Sequence, residues 1–123
     1  MRDLLGDREI VDFCSARSRW ERRGHHLVGS ATAVTFTAAI AWVNQIADAS
    51  EELNHHPDID IRWCTLTLRL STHSSGGLTD LDLLLAKRID AIVDAAEQDL
   101  PERHSPLDGP TLPGVGSAQV TTP

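Results

Sequence analysis

From Asp58 to His73 the chain reads DIDIRWCTLTLRLSTH, an alternation of apolar and polar side chains held between Pro57 and a Ser74–Gly77 turn. Successive side chains of an extended strand point to opposite faces. Cys64, Leu66, Leu68 and Leu70 therefore share one side, and Trp63, Thr65, Thr67, Arg69 and Ser71 share the other. The pattern predicts one long strand with a core face and a more polar face. Such a strand must sit in a sheet whose apolar side is covered by a second layer.

The flanking segments supply that layer. Met1 to Trp20 is predicted as a first helix, capped by Asp7 and carrying Ile10, Val11, Phe13 and Cys14 as a short apolar stripe. Gly24 breaks it. The β-branched stretch after it reads as two short strands, Leu27–Val28 and Ala31–Phe36, joined or bulged at Gly29–Ser30. Thr37 is a plausible N-cap for a central helix with Ile40, Val43, Ile46, Ala47 and Leu53 at helical spacing. It should end near Asn54, because Pro57 disfavours helix in His56 and cannot continue one. Thr79 caps a last helix, with Asp80 and Asp82 in the first turn and Leu81, Leu84, Leu85, Ile89, Ile92, Val93 and Ala96 on its apolar side. The order predicts an α+β fold: an antiparallel sheet with helices packed on one face. A single domain is expected over residues 1–100. Residues 101–123, rich in Pro and Gly without periodicity, read as a flexible tail. Trp63 and the threonines leave the outer sheet face less polar than full exposure favours, which suggests a homo-oligomer contact there.

Composition narrows the function classes. The 123 residues carry 11 Lys plus Arg against 18 Asp plus Glu, a net charge of −7. That disfavours broad nucleic-acid or anionic-membrane binding, which rely on positive surface. The N-terminus has no apolar signal core, and the most apolar run, Ala38 to Ala49, is too short to span a bilayer. Cys14 and Cys64 form neither a CxxC pair nor a disulfide framework. A soluble cytoplasmic protein is the expectation.

Chemistry concentrates in EELNHHPDIDIRW, Glu51 to Trp63, and LSTHSSGGLTDLD, Leu70 to Asp82. Three imidazoles there could bind a metal, move protons or decorate a surface. Imidazole titrates near neutrality, so several in one cleft can donate and accept protons. Neighbouring side chains diverge on a regular element, so His55 and His56 share a cleft only if the backbone after the helix is irregular. His73 ends the strand, and Asp82 could orient a histidine as carboxylates do in acid–base sites; helix-dipole complementation is its bland alternative. Glu51 sits near a helix C-terminus, where acids are disfavoured. The chain has no HExxH and no CxxC, which argues against a metal site. Neither Cys14 nor Ser71 lies in a nucleophile motif. His25-His26 reads as surface.

Glu51, then His55-His56-Pro57, a strand with aromatic Trp63, Thr72-His73, Gly77-Leu78-Thr79 and Asp82 together resemble the pterin-4a-carbinolamine dehydratase family. The resemblance covers roughly residues 20–94. Trp63 stands where tyrosine is common in the family, the first helix matches poorly, and the tail has no counterpart. The resemblance implies an antiparallel sheet with helices on one face, assembling as a homodimer or homotetramer. It implies dehydration of a 4a-hydroxytetrahydropterin to the quinonoid dihydropterin, in recycling of the pterin cofactor. His55, His56, His73 and Asp82 are then catalytic, and Glu51, Pro57 and Thr72 contact or shape the pterin site. No metal and no external cofactor are expected. A different role, as a non-catalytic adaptor or assembly factor that binds another protein's oligomer, is the alternative.

Overall fold

The computed structural model describes residues 2–99. The elements run α1 (Asp7–Ala16), β1 (Trp20–Arg23), β2 (His26–Thr32), α2 (Phe36–Leu53), β3 (Asp58–Arg62), β4 (Thr65–Leu70), a 3₁₀ turn (His73–Ser75) and α3 (Asp80–Asp99). The four strands form one antiparallel sheet in the order β1-β2-β4-β3. Helices cover one face, so the α+β architecture read from the sequence holds. Strands β2 and β3 are linked through α2 and have β4 between them, a split βαβ unit. Residues 2–93 form one compact unit. The segment expected as a tail, 101–123, lies outside the described residues. No helix among the described residues is long and apolar enough to cross a membrane.

Several local expectations need correction. Helix α1 starts after Gly6, whose N–H is accepted by the Glu9 side chain, and Asp7 is its first residue rather than its cap. It stops at Ala16, and Trp20 opens a strand that the sequence reading missed. Strand β2 is continuous through Gly29, and Phe36 belongs to α2, whose cap is Thr35 and not Thr37. The Thr35 hydroxyl accepts the Ala38 N–H at 3.0 Å. The predicted long strand is a hairpin: β3 and β4 pair from Asp58↔Arg69 to Arg62↔Thr65, with Trp63 and Cys64 as the turn. Trp63 has φ 54° there, and no glycine or asparagine announces the reversal.

The core lies between the sheet and the helices. Leu66, Leu68 and Leu70 of β4, Leu27 of β2 and Trp20 of β1 are buried. Opposite them lie Ala39, Trp42, Ile46 and Ala49 of α2 and Leu85, Ala86, Ile89 and Val93 of α3. The buried stripe of α2 is rotated from the expected one: Ile40 and Val43 are only half-buried and Ala47 is exposed, because Trp42 takes the central position. Cys14 is half-buried, and Cys64 is buried in the hairpin turn; both are free thiols. Burial, and secondarily the Glu21 carboxylate, push the Cys14 thiol above its ordinary value.

Two contacts fix β1. The Trp20 indole Nε1–H donates to Asp90 Oδ1 at 3.0 Å, and Asp90 also accepts from Arg17 and Arg19 at 2.9 and 2.6 Å. The Trp20 ring then lies on Gly29, its register partner, so closely that a Cβ there would stand 2.6 Å from the ring. Gly29→Ala should therefore destabilise the fold by about 1–3 kcal/mol, the usual range for overpacking. A lowered urea midpoint with an unchanged slope is the expected observation.

Candidate active site

The candidate site is built around one carboxylate. Asp82 lies in the first turn of α3 and is 0 % exposed. Its position on the apolar stripe, three residues before Leu85, turns it into the core. One oxygen, Oδ2, accepts the Thr79 backbone N–H at 2.9 Å and the Thr72 hydroxyl at 2.8 Å. The first of these bonds satisfies a donor that would otherwise be orphaned at the helix start. The other oxygen, Oδ1, meets His55 Nε2 at 2.6 Å. Ionised, Asp82 can only accept, so His55 Nε2 carries the proton and its Nδ1 holds the lone pair in the neutral ring.

The end of α2 delivers His55 to that carboxylate. Asn54 takes the left-handed conformation at φ 50°, which asparagine tolerates better than most residues. The His55 N–H then bonds Ser50 O at 3.0 Å, and the side chain turns inward to 8 % exposure. His56 diverges from it. It is exposed, and its Nε2 meets Glu51 Oε2 at 2.5 Å, so the acid near the helix C-terminus has an imidazole partner. Pro57 is half-buried and leads into β3.

Strand β4 brings the third histidine. Thr72 is buried and forms an isolated bridge with Gly77, its N–H donating to Gly77 O at 2.8 Å. The 3₁₀ turn between them closes on Gly76 at φ 78°, a conformation that calls for glycine. His73 begins that turn and is exposed. Asp82 thus holds the segment carrying His55 and His56 and the segment carrying His73. His55 touches the carboxylate directly, His56 and His73 do not, and Thr72 faces the carboxylate with its hydroxyl hydrogen committed. Among the described residues no group of three His, Cys, Asp or Glu side chains is arranged to hold a metal ion.

Sequence reasoning treated Thr79 only as a cap. Its hydroxyl is fully buried and 2.8 Å from that of Thr72. The missed signal was the Thr-x-x-Asp spacing of Thr79 and Asp82 on a helix whose third position also falls on the core stripe.

A family model described as pterin 4 alpha carbinolamine dehydratase matches residues 3–92. The match includes α1, which the reading from motifs left out by starting at Trp20. Over 90 residues the chain is 47 % identical to a protein of Nocardia farcinica named "Putative pterin-4-alpha-carbinolamine dehydratase", covering 73 % of this chain and 95 % of that one. A Mycobacterium tuberculosis protein of the same name is 49 % identical over 92 residues, covering 75 % and 98 %. A solved structure described as a transcriptional coactivator/pterin dehydratase from Brucella melitensis superimposes with a TM-score of 0.71 at 27 % identity, over 74 % of this chain and 99 % of that one. A pterin dehydratase-like protein described as a RuBisCO assembly factor in the alpha-carboxysome shares the fold, with a TM-score of 0.51 at 21 % identity over 61 % of this chain and 87 % of that one.

The two acidic residues of the first α3 turn should separate in their effect on stability. Asp80 is exposed and pairs with Arg2 at 3.0 Å. Asp80→Ala should cost less than about 1 kcal/mol. Asp82→Ala strands three buried donors and should cost about 3 kcal/mol or more. Equilibrium denaturation of the two variants measures the difference.

Proposed function

The chain belongs to the pterin 4 alpha carbinolamine dehydratase family, and from that premise we propose that it converts a 4a-hydroxytetrahydropterin to quinonoid dihydropterin and water by histidine acid–base catalysis. The observation that supports this most is the buried Asp82–His55 pair, with exposed His56 and His73 on the two segments joined to it.

The reaction breaks the C4a–O bond. The departing oxygen takes a proton, N5 gives one up, and an N5–C4a double bond forms. Hydroxide leaves poorly, so a positioned acid lowers the barrier, and a positioned base takes the N5 proton. No electrons and no carried group are exchanged. Neutral His55, with Nε2–H turned to Asp82, offers its Nδ1 lone pair and fills the role of base. The Asp82 charge stabilises the imidazolium that forms. The role of donor to the leaving hydroxyl falls to the protonated ring of exposed His56, which keeps Nε2–H on Glu51 and gives its proton from Nδ1, or to that of exposed His73. Glu51 holds His56, and Pro57 shapes the segment between His56 and β3.

We also propose that the protein assembles with itself along β3. This strand is a sheet edge, and its DIDIR sequence offers complementary charge. An antiparallel pairing of two copies centred on Ile61 sets Asp60 of each opposite Arg62 of the other and covers Ile59, which is 37 % exposed. Ile59→Lys should shift the protein to monomer in light scattering after size exclusion, while its far-ultraviolet circular dichroism stays that of the parent.

The activity is tested by stopped-flow ultraviolet absorbance on 4a-hydroxytetrahydropterin. The parent should accelerate dehydration, and a chelator should not change the rate. His55→Ala/His56→Ala should lose about 100-fold to 10,000-fold. His73→Ala should slow dehydration while its denaturation midpoint stays close to that of the parent. A folded parent that gives no acceleration would overturn the dehydratase reading in favour of the adaptor role.

A further inference from the structure

Two hydroxyls behind the carboxylate have no place in the acid–base step, yet both are buried and both are hydrogen-bonded. Their proton count fixes the direction of every bond. A hydroxyl has one hydrogen to give. That of Thr72 goes to Asp82 Oδ2 at 2.8 Å, since an ionised carboxylate only accepts. The 2.8 Å contact between the Thr72 and Thr79 hydroxyls must then carry the Thr79 hydrogen. The Thr79 oxygen in turn accepts the Leu81 N–H at 3.3 Å, from the first turn of α3. The chain of donors therefore runs one way: Leu81 N–H to Thr79, Thr79 to Thr72, Thr72 to Asp82. With the Thr79 N–H it loads Oδ2 with two donors and leaves Oδ1 to His55 alone.

We propose that Thr72 and Thr79 are positioning residues, a one-way hydroxyl relay that fixes the Asp82 carboxylate in rotation and so holds His55 in the Nε2–H tautomer. The inference deepens the dehydratase reading and rests on it for its effect on rate. It gives Thr72 a task other than substrate contact. Bonds aligned head to tail polarise one another, and partners behind a working imidazole set which nitrogen bears the proton. Were the relay to reverse, Thr72 would turn a lone pair toward Oδ2. The carboxylate would then be free to rotate, and the His55 ring with it.

The test reads the tautomer directly. Long-range proton–nitrogen correlation spectra of the ¹⁵N-histidine-labelled protein, with the His55 signals assigned by their loss in His55→Gln, should show Nε2–H in the neutral ring. Thr79→Val keeps the shape and removes the hydroxyl. It should mix the His55 tautomers, lower kcat about tenfold with KM unchanged, and move the acid limb of the kcat profile, in line with the effect of partners behind histidine ligands. Thr79→Ser, which restores the hydroxyl, should recover all three. An Nδ1–H tautomer in the parent would overturn the relay whether or not any variant folds. So would a folded Thr79→Val protein with the parent's tautomer and pH profile. If the parent does not dehydrate the pterin while the tautomer responds as described, the relay stands and the dehydratase reading falls.

Discussion

A buried carboxylate is expensive to desolvate, and Asp82 is buried completely. Its burial is offset by three donors and by its place at the positive end of α3. Those donors come from three different segments: the turn after α2, the end of β4 and the start of α3. The interaction is thus a joint as well as a charge. It sets the distance between the end of the central helix and the end of the central strand. Every residue argued to work on a pterin lies within a few positions of it.

Asp90 repeats the arrangement about two helical turns along α3. It is also on the core side of the helix, it also accepts three donors, and it also draws in another segment. Through it, α3 holds the Trp20 indole against the bare backbone of Gly29. The helix is therefore registered against the sheet at two points rather than only by apolar contact, which is non-directional. One point orders the histidines, and the other orders the first strand. This coupling gives a small domain a fixed site without a large core.

Much of the architecture was legible in local pattern. The period-2 run of Leu66, Leu68 and Leu70, the apolar repeats of α2 and α3, and the stop at Asn54 all describe what a segment does with its own neighbours in sequence. The errors share a cause. Trp20 looked like the end of a helix because nothing adjacent says that a glycine nine residues on will receive its ring. The β3–β4 reversal was hidden because Trp63 and Cys64 are not turn residues by propensity. The hairpin exists because β4 buries Leu66, Leu68 and Leu70 against the helices and β3 pairs with it along its whole length, which together outweigh the strain of a positive φ at Trp63.

The same division runs through the site. Residue type and spacing singled out Glu51, His55, His56, Pro57, His73 and Asp82 as candidates, because hydrogen-bonding and titrating side chains are a property of the residue, and the family resemblance added Thr72. Their separate placements came from the fold. Asn54 sends His55 inward and leaves His56 to Glu51, and the 3₁₀ turn leaves His73 exposed. Thr72 and Thr79 face each other only because a strand end and a helix start converge on one buried charge. Periodicity and chemistry are local, so the chain carries them openly. Which nitrogen of His55 bears its proton depends on donors brought together from distant segments, and only packing in three dimensions decides that.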